Sequence, residues 1–300
     1  MTAATAGAGA VYDRGYRPYE GQRGGRRAAT FALYKASIRR ALGLRRSWRQ
    51  KVAPFVLLGI VTIPAVVNVG IGYVTRDRVG APVEIITYRD YVGVSSSLLL
   101  FVALTAPDII CPDRRQRVLP LLFARPLTGV DYVIAKVGAI FSILFAFSFL
   151  PQVVLFVGQT LVSDGAIDYV RDNLEVLWKV PVAVALLAAF YAVVGVAIAS
   201  LASRRIVAGA SFIGLFLVSS ITSGILVGDF ESSRHGSAAA VINVLGLPLY
   251  LRDLVFLGHI DPESPLVGVS SGGLLAVVVY AAVAAVAAGV LLYRYRWTER

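Results

Sequence analysis

Residues able to do chemistry are sparse in this chain, and the densest group is basic. In the stretch CPDRRQRVLPLLFARPLTGVDYVIAK, Cys111 to Lys136, four arginines (Arg114, Arg115, Arg117 and Arg125) surround a short apolar patch flanked by prolines. An apolar face ringed by arginine has the composition of a protein contact, and a helical turn resting on a membrane has it too. The remaining candidates are isolated. Asp108 lies in an apolar run just after Pro107, and an acidic group within a span is a functional hypothesis by default. Asn68 offers an amide for hydrogen bonding between helices. His235 and His259 stand 24 positions apart with no third ligand at an obvious spacing, so no metal site is expected. The single cysteine, Cys111, excludes an internal disulfide and reads as a small apolar filler.

What must position these groups is a set of apolar segments. The 300-residue chain is 57% hydrophobic, with a mean hydropathy of +0.72. Stretches of about 20 apolar residues match a hydrocarbon layer roughly 30 Å thick. Six such stretches are present: Val52–Val74, Val92–Pro112, Tyr132–Val157, Val180–Ala202, Ile206–Gly228 and Gly272–Tyr293. Lipid leaves backbone groups unsatisfied unless they bond within the segment, so each is expected to be helical. The predicted fold class is an all-α polytopic membrane protein with six transmembrane helices. Residues 51–300 form the transmembrane domain, and no cleavable leader precedes Val52.

The formal charge of +11 suggests nucleic acid only until its distribution is read. With the first residues placed in the cytoplasm, 22 of the 29 Lys and Arg fall on that side of the six spans. This is the positive-inside bias, with both termini cytoplasmic. Basic groups beside anionic lipid heads account for the charge, and no nucleic-acid partner is expected.

Residues 1–29 read as a flexible basic tail containing YDRGYRPYEGQRGGRR, whose Gly and Pro oppose a helix. From Thr30, an N-cap candidate, Phe31, Tyr34, Ile38, Ala41 and Leu42 recur on one helical face, with Lys35, Arg39, Arg40 and Arg46 largely on the other. Residues 30–50 therefore predict an amphipathic interfacial helix, its apolar face toward lipid, with Trp48 in the interfacial belt.

In the arginine-rich connection, Asp113 is placed to cap a short helix over Asp113–Ala124, since Pro112 ends the span before it. Val118, Leu121 and Leu122 share its apolar face. Between the last two spans, Ala238–Gly258 is apolar but broken by Gly246–Pro248 and charged at Arg252–Asp253. Each half is too short to cross, so this segment is either re-entrant or a helix pair lying outside on the membrane. An interfacial helix is expected over Asp164–Lys179, with Ile167, Val170, Leu174, Leu177 and Trp178 on one face. The fifth span spaces small residues by four, Ala210 with Gly214 and Ser220 with Gly224, a pattern that allows close helix approach.

The run Asp113, Arg114, Leu119, Leu121, Leu122, Arg125, Pro126, Leu127, Thr128, Tyr132 and Lys136 resembles the cytoplasmic loop of ATP-binding-cassette (ABC) transporter permeases of the second type. The opening YDRGYRPYEGQR is similar to the N-terminal signature of a bacterial branch of that family. Pro112–Asp113 and Gln116–Arg117 depart from it, standing where Glu and Gly-Thr are frequent. The resemblance implies the transmembrane subunit of an exporter in a bacterial plasma membrane, not an enzyme. Asp113, Arg114, Arg115, Arg117, Val118, Leu121, Leu122 and Arg125 would form a coupling helix against a separate ABC ATPase subunit. Re-entrant helices would precede the last span, and Ala210, Gly214, Ser220 and Gly224 would meet a second permease copy or homologue. Asn68 and Asp108 would be polar groups near the pathway. ATP and Mg would be bound by the partner, because the chain has no G-x-x-x-x-G-K-[ST] phosphate loop and so no cofactor site of its own. A secondary transporter, which needs central charge or inverted repeats, and a membrane-embedded lipid-modifying enzyme, which needs clustered polar catalysts, are the alternatives.

Overall fold

A computed structural model describes residues 24–44, 48–79, 86–92, 95–116, 118–123, 127–229, 238–244 and 246–298. The described chain is all helical. Its elements are α1 (Arg26–Ala41), α2 (Trp48–Val79), α3 (Tyr88–Val92), α4 (Ser95–Arg115), α5 (Leu119–Phe123), α6 (Gly129–Val162), α7 (Ala166–Asp172), α8 (Val176–Leu201), α9 (Arg205–Asp229), α10 (Gly246–Leu257) and α11 (Gly272–Thr298). Single 3-10 turns stand at Ala239–Ile242 and Pro265–Gly268.

Six of these segments are long and apolar enough to cross a membrane: Phe55–Thr75, Tyr88–Arg115, Gly129–Val162, Val176–Leu201, Arg205–Gly228 and Gly272–Arg296. The six predicted spans agree with them in number, order and approximate position. Burial ranks them. The most apolar windows of the α4 and α8 spans are 67% buried, against 22% for α2 and α9 and 17% for α11. So α4 and α8 form the centre, and the outward residues of α2, α9 and α11, such as Ile63, Leu217 and Val286, are exposed on the outside of the bundle. The packed interior joins Phe101 to Phe147, with ring centroids 4.4 Å apart, and Phe190 to Tyr280, at 4.9 Å.

Close helix contact at the centre depends on two glycines. A Cβ on Gly195 of α8 would collide with Val102 of α4. One on Gly209 of α9 would lie 2.8 Å from the carbonyl oxygen of Ala103. That carbonyl is also the one Pro107 leaves without its helical donor.

Three expectations are corrected. Pro112 does not end the second span: α4 runs through Pro107 and Pro112 to Arg115, so Asp113 sits in its last turn and the short helix that follows covers only Leu119–Phe123. Helix α1 starts at Arg26 behind Gly25, and the Thr30 hydroxyl donates to the Arg26 carbonyl (3.0 Å) instead of capping. The face of α1 carrying Tyr34, Ser37, Ile38 and Ala41 packs on protein, chiefly α6, while Phe31 stays 63% exposed. Apolar periodicity marks a buried face without saying whether lipid or protein buries it. The side chain of Trp48, and the tail over residues 1–23, lie outside the described residues.

Candidate functional site

Helix α1 packs against α6 and α4, and one cluster of charged groups gathers where the three meet. Helix α6 is started by a capping box: the Thr128 hydroxyl accepts from the Asp131 amide (3.3 Å), and the Asp131 carboxylate accepts from the Thr128 amide (3.0 Å). Arg26 of α1 grips that carboxylate with two nitrogens, at 2.6 and 3.0 Å. Farther along, Tyr34 and Ser142 share a hydroxyl bond of 2.7 Å. Helix α1 is thus fastened along the first half of α6.

The centre of this end is Asp113, 3% exposed. Its carboxylate accepts from Lys136 Nζ (2.6 Å), Arg40 Nη1 (2.6 Å) and the Tyr132 hydroxyl (3.0 Å). Lys136 is 2% exposed and spends a second proton on the Ile109 carbonyl (3.1 Å). A buried ammonium survives only with such compensation. The ring of Tyr132 packs on Tyr295 of α11, centroids 4.8 Å apart. Next in sequence, Arg114 donates to the carbonyls of Ser200 (2.5 Å) and Ala202 (3.0 Å), at the end of α8 where helical carbonyls lack donors. The last turn of α4 is therefore tied to α1, α6 and α8, and through Tyr132 to α11.

From this anchored turn the chain leads into α5. Leu121 is 71% exposed, Arg115 and Pro120 are also exposed, Val118, Leu122 and Phe123 are half-buried, and Leu119 faces inward. Phe123 sets its edge against Tyr132, at 6.2 Å. Of the residues expected on a contact surface, Val118, Leu121, Leu122 and Arg115 lie together at the rim, whereas Asp113 and Arg114 are turned into the bundle. Arg117 and Arg125 lie outside the described residues.

The other expected residues are scattered. Asp108 pairs with Arg205 at the start of α9. Asn68, near the opposite end, donates to the Ile86 carbonyl (2.9 Å) and so holds the chain ahead of α3. Ala210, Gly214, Ser220 and Gly224 line the outward side of α9, where a Cβ on Gly214 or Gly224 would meet nothing. His259 is exposed beside the Ile260 carbonyl, and His235 is outside the described residues. No group of three or more His, Cys, Asp or Glu that could hold a metal is found among the described residues.

At the end away from α1, a second ionic set was not anticipated. Arg89 of α3 pairs with Asp253 of α10 (2.9 Å) and with Asp261 beyond it. Arg252 binds Asp253 (2.6 Å) and the Arg89 carbonyl (3.3 Å). Hydrogen bonding from Arg89, aided by the Glu263 amide, holds the Asp261 carboxyl below its ordinary value, while burial pushes the Tyr250 phenol up. Helix α10 packs on α8 and α11 with Leu247 and Leu251 buried, and Ile167, Leu174, Leu177 and Trp178 remain exposed at this rim. The sequence signal was the adjacent Arg252–Asp253 in an apolar segment. Nothing in sequence tied it to Arg89, 163 positions earlier.

No family model, curated protein or solved structure matches the chain. Fold and site together define a polytopic α-helical membrane protein with six candidate spans, multi-pass and anchored around a buried carboxylate–ammonium pair.

Proposed function

We propose that the chain is the transmembrane subunit of an ATP-driven ABC exporter, and that α5 docks a separate nucleotide-binding subunit. The observation that supports this most is α5 itself. An apolar knob headed by Leu121, with Arg115 beside it, projects at the rim, joined to a turn that is tied to the helices around it. A surface turn that served only as a connection would not need that anchorage. In this reading Leu121, Leu122, Val118, Arg115, Arg117 and Arg125 meet the partner. Asp113 and Arg114 carry its displacement to α1, α6 and α8. ATP and Mg belong to the partner, and the α1 end faces the cytoplasm of a bacterial cell.

The outward face of α9 supports a second permease copy or homologue. Val207, Ala210, Gly214, Leu217, Ile221 and Gly224 recur every three or four positions, and the glycines are not explained by packing inside the subunit. Segment α10, held against α8 and α11, would line the exit. A transported molecule is driven only by a difference in its affinity between the inward- and outward-facing states.

The test is extraction of the tagged chain in mild detergent with identification of retained proteins. A nucleotide-binding protein carrying a phosphate loop is expected, lost in Leu121→Asp while the variant keeps its melting temperature. Retention undiminished by Leu121→Asp would remove α5 as the docking element.

A further inference from the structure

Helix α6 carries a second set of polar side chains, remote from Asp113. Ser148, Gln152 and Gln159 follow at spacings of four and seven, one face of a helix. Gln152 and Gln159 are 2% and 1% exposed. Gln152 Nε2 donates to the Tyr88 carbonyl (3.2 Å), but its Oε1 has no donor among the described residues. Among the described residues neither amide atom of Gln159 has a partner, nor does the Ser148 hydroxyl. Pro151, within the same stretch, offers no amide to the Phe147 carbonyl, which adds an open acceptor. At the α7 side the Tyr88 and Tyr169 hydroxyls pair at 2.8 Å, with Phe156 tilted between the two rings.

Depth makes this arrangement informative. Gln159 lies eleven positions after Ser148, about 16 Å along the helix. With the 34 residues of α6 centred in the bilayer, Gln159 stands roughly 20 Å from the midplane and Ser148 roughly 4 Å. The first is at head-group level and the second is near the middle of the hydrocarbon layer. A buried amide left without a partner carries the full cost of losing its hydration. Water is the ligand that answers both a free carboxamide donor and a free acceptor, and a buried water making about three hydrogen bonds is a regular structural component. Ser148, Gln152 and Gln159 are uncharged, which suits a neutral ligand over an ion.

We infer that this face of α6 is a binding site for a file of water molecules, running from the α7 end of the bundle to near its middle. Gln159 takes the first at the rim, Gln152 the next, and Ser148 with the Phe147 carbonyl holds the innermost. The inference needs only the six-span bundle and stands apart from the transport reading.

The test is radiolytic hydroxyl-radical footprinting of the full chain in lipid nanodiscs, where radicals form from bound water. Leu155 lies on the same face between the two glutamines, and Leu187 of α8 is equally buried at 1%. Leu155 is expected to oxidise about five-fold faster than Leu187, and to fall to the Leu187 rate in Gln152→Leu/Gln159→Leu. Equal rates in the unaltered chain overturn the inference. A fast rate that persists in the double variant overturns the assignment of the carboxamides as the ligands. Melting of Gln159→Leu provides the independent check. Removing an unpartnered amide from a dry interior raises the melting temperature, which would contradict a water site; an unchanged or lower value agrees with one.

Discussion

Replacing Asp113 by Asn keeps the side chain's shape and removes its charge. In the parent protein this carboxylate is the anion that compensates Lys136, and the two side chains are 5% and 2% exposed. Arg40, at 35%, can turn toward water; Lys136 cannot. The variant is therefore left with a buried ammonium facing an amide and the Ile109 carbonyl. Breaking a buried pair from one side costs about 3–5 kcal/mol, which for a chain of this size is on the order of 5–10 °C in melting temperature. Tryptophan fluorescence during thermal unfolding in detergent measures it. The double variant Asp113→Leu/Lys136→Met replaces the pair by apolar groups of similar bulk and is expected to recover most of the loss, since a filled apolar site is often as stable as the ion pair. A shift below about 2 °C in the single variant, or no recovery in the double, would refute the claim that Asp113 holds Lys136 in the bundle.

Gly209→Ala should lower stability by about 1–3 kcal/mol, because the new methyl meets the Ala103 backbone oxygen, which cannot turn aside; urea or thermal unfolding reads the change. Gly214→Ala, on the open face of α9, should leave the melting temperature of the isolated subunit unchanged and weaken self-association measured by crosslinking. Arg89 lowers the pKa of Asp261, so this ion pair contributes stability above the ordinary carboxylate value, about 3.9, and loses it as pH falls through the lowered folded value. The melting-temperature gap between parent and Asp261→Asn should accordingly be constant above about pH 5 and close in stronger acid. Cys111, 2% exposed, should resist a thiol reagent in the folded protein and react as it unfolds.

The spans were legible because a bilayer demands a fixed run of apolar residues, a property of each segment alone. Asp113 was legible as a residue of interest but not in its role. An acid after a proline suggests a cap, and only the approach of Lys136 and Arg40 from two other helices turns it into the centre of an ion cluster. The same limit applied to Arg114, whose acceptors are carbonyls of α8, and to Arg89 with Asp253 and Asp261. Gly209 illustrates a different gap. Its necessity depends on the Ala103 carbonyl of another helix standing at the crossing, and no periodicity within α9 records that. Leu121 and Leu122 were readable together as an apolar patch, yet which of them stands out into solvent follows from where α4 ends.

In the proposed function the knob at Leu121 meets a nucleotide-binding protein. A photoreactive amino acid placed at Leu121, with Ile63 on the outward side of α2 as the control position, tests it in intact membranes. A protein adduct containing a phosphate-loop ATPase is expected at position 121, and lipid adducts alone at position 63. Lipid adducts alone at both positions would contradict it.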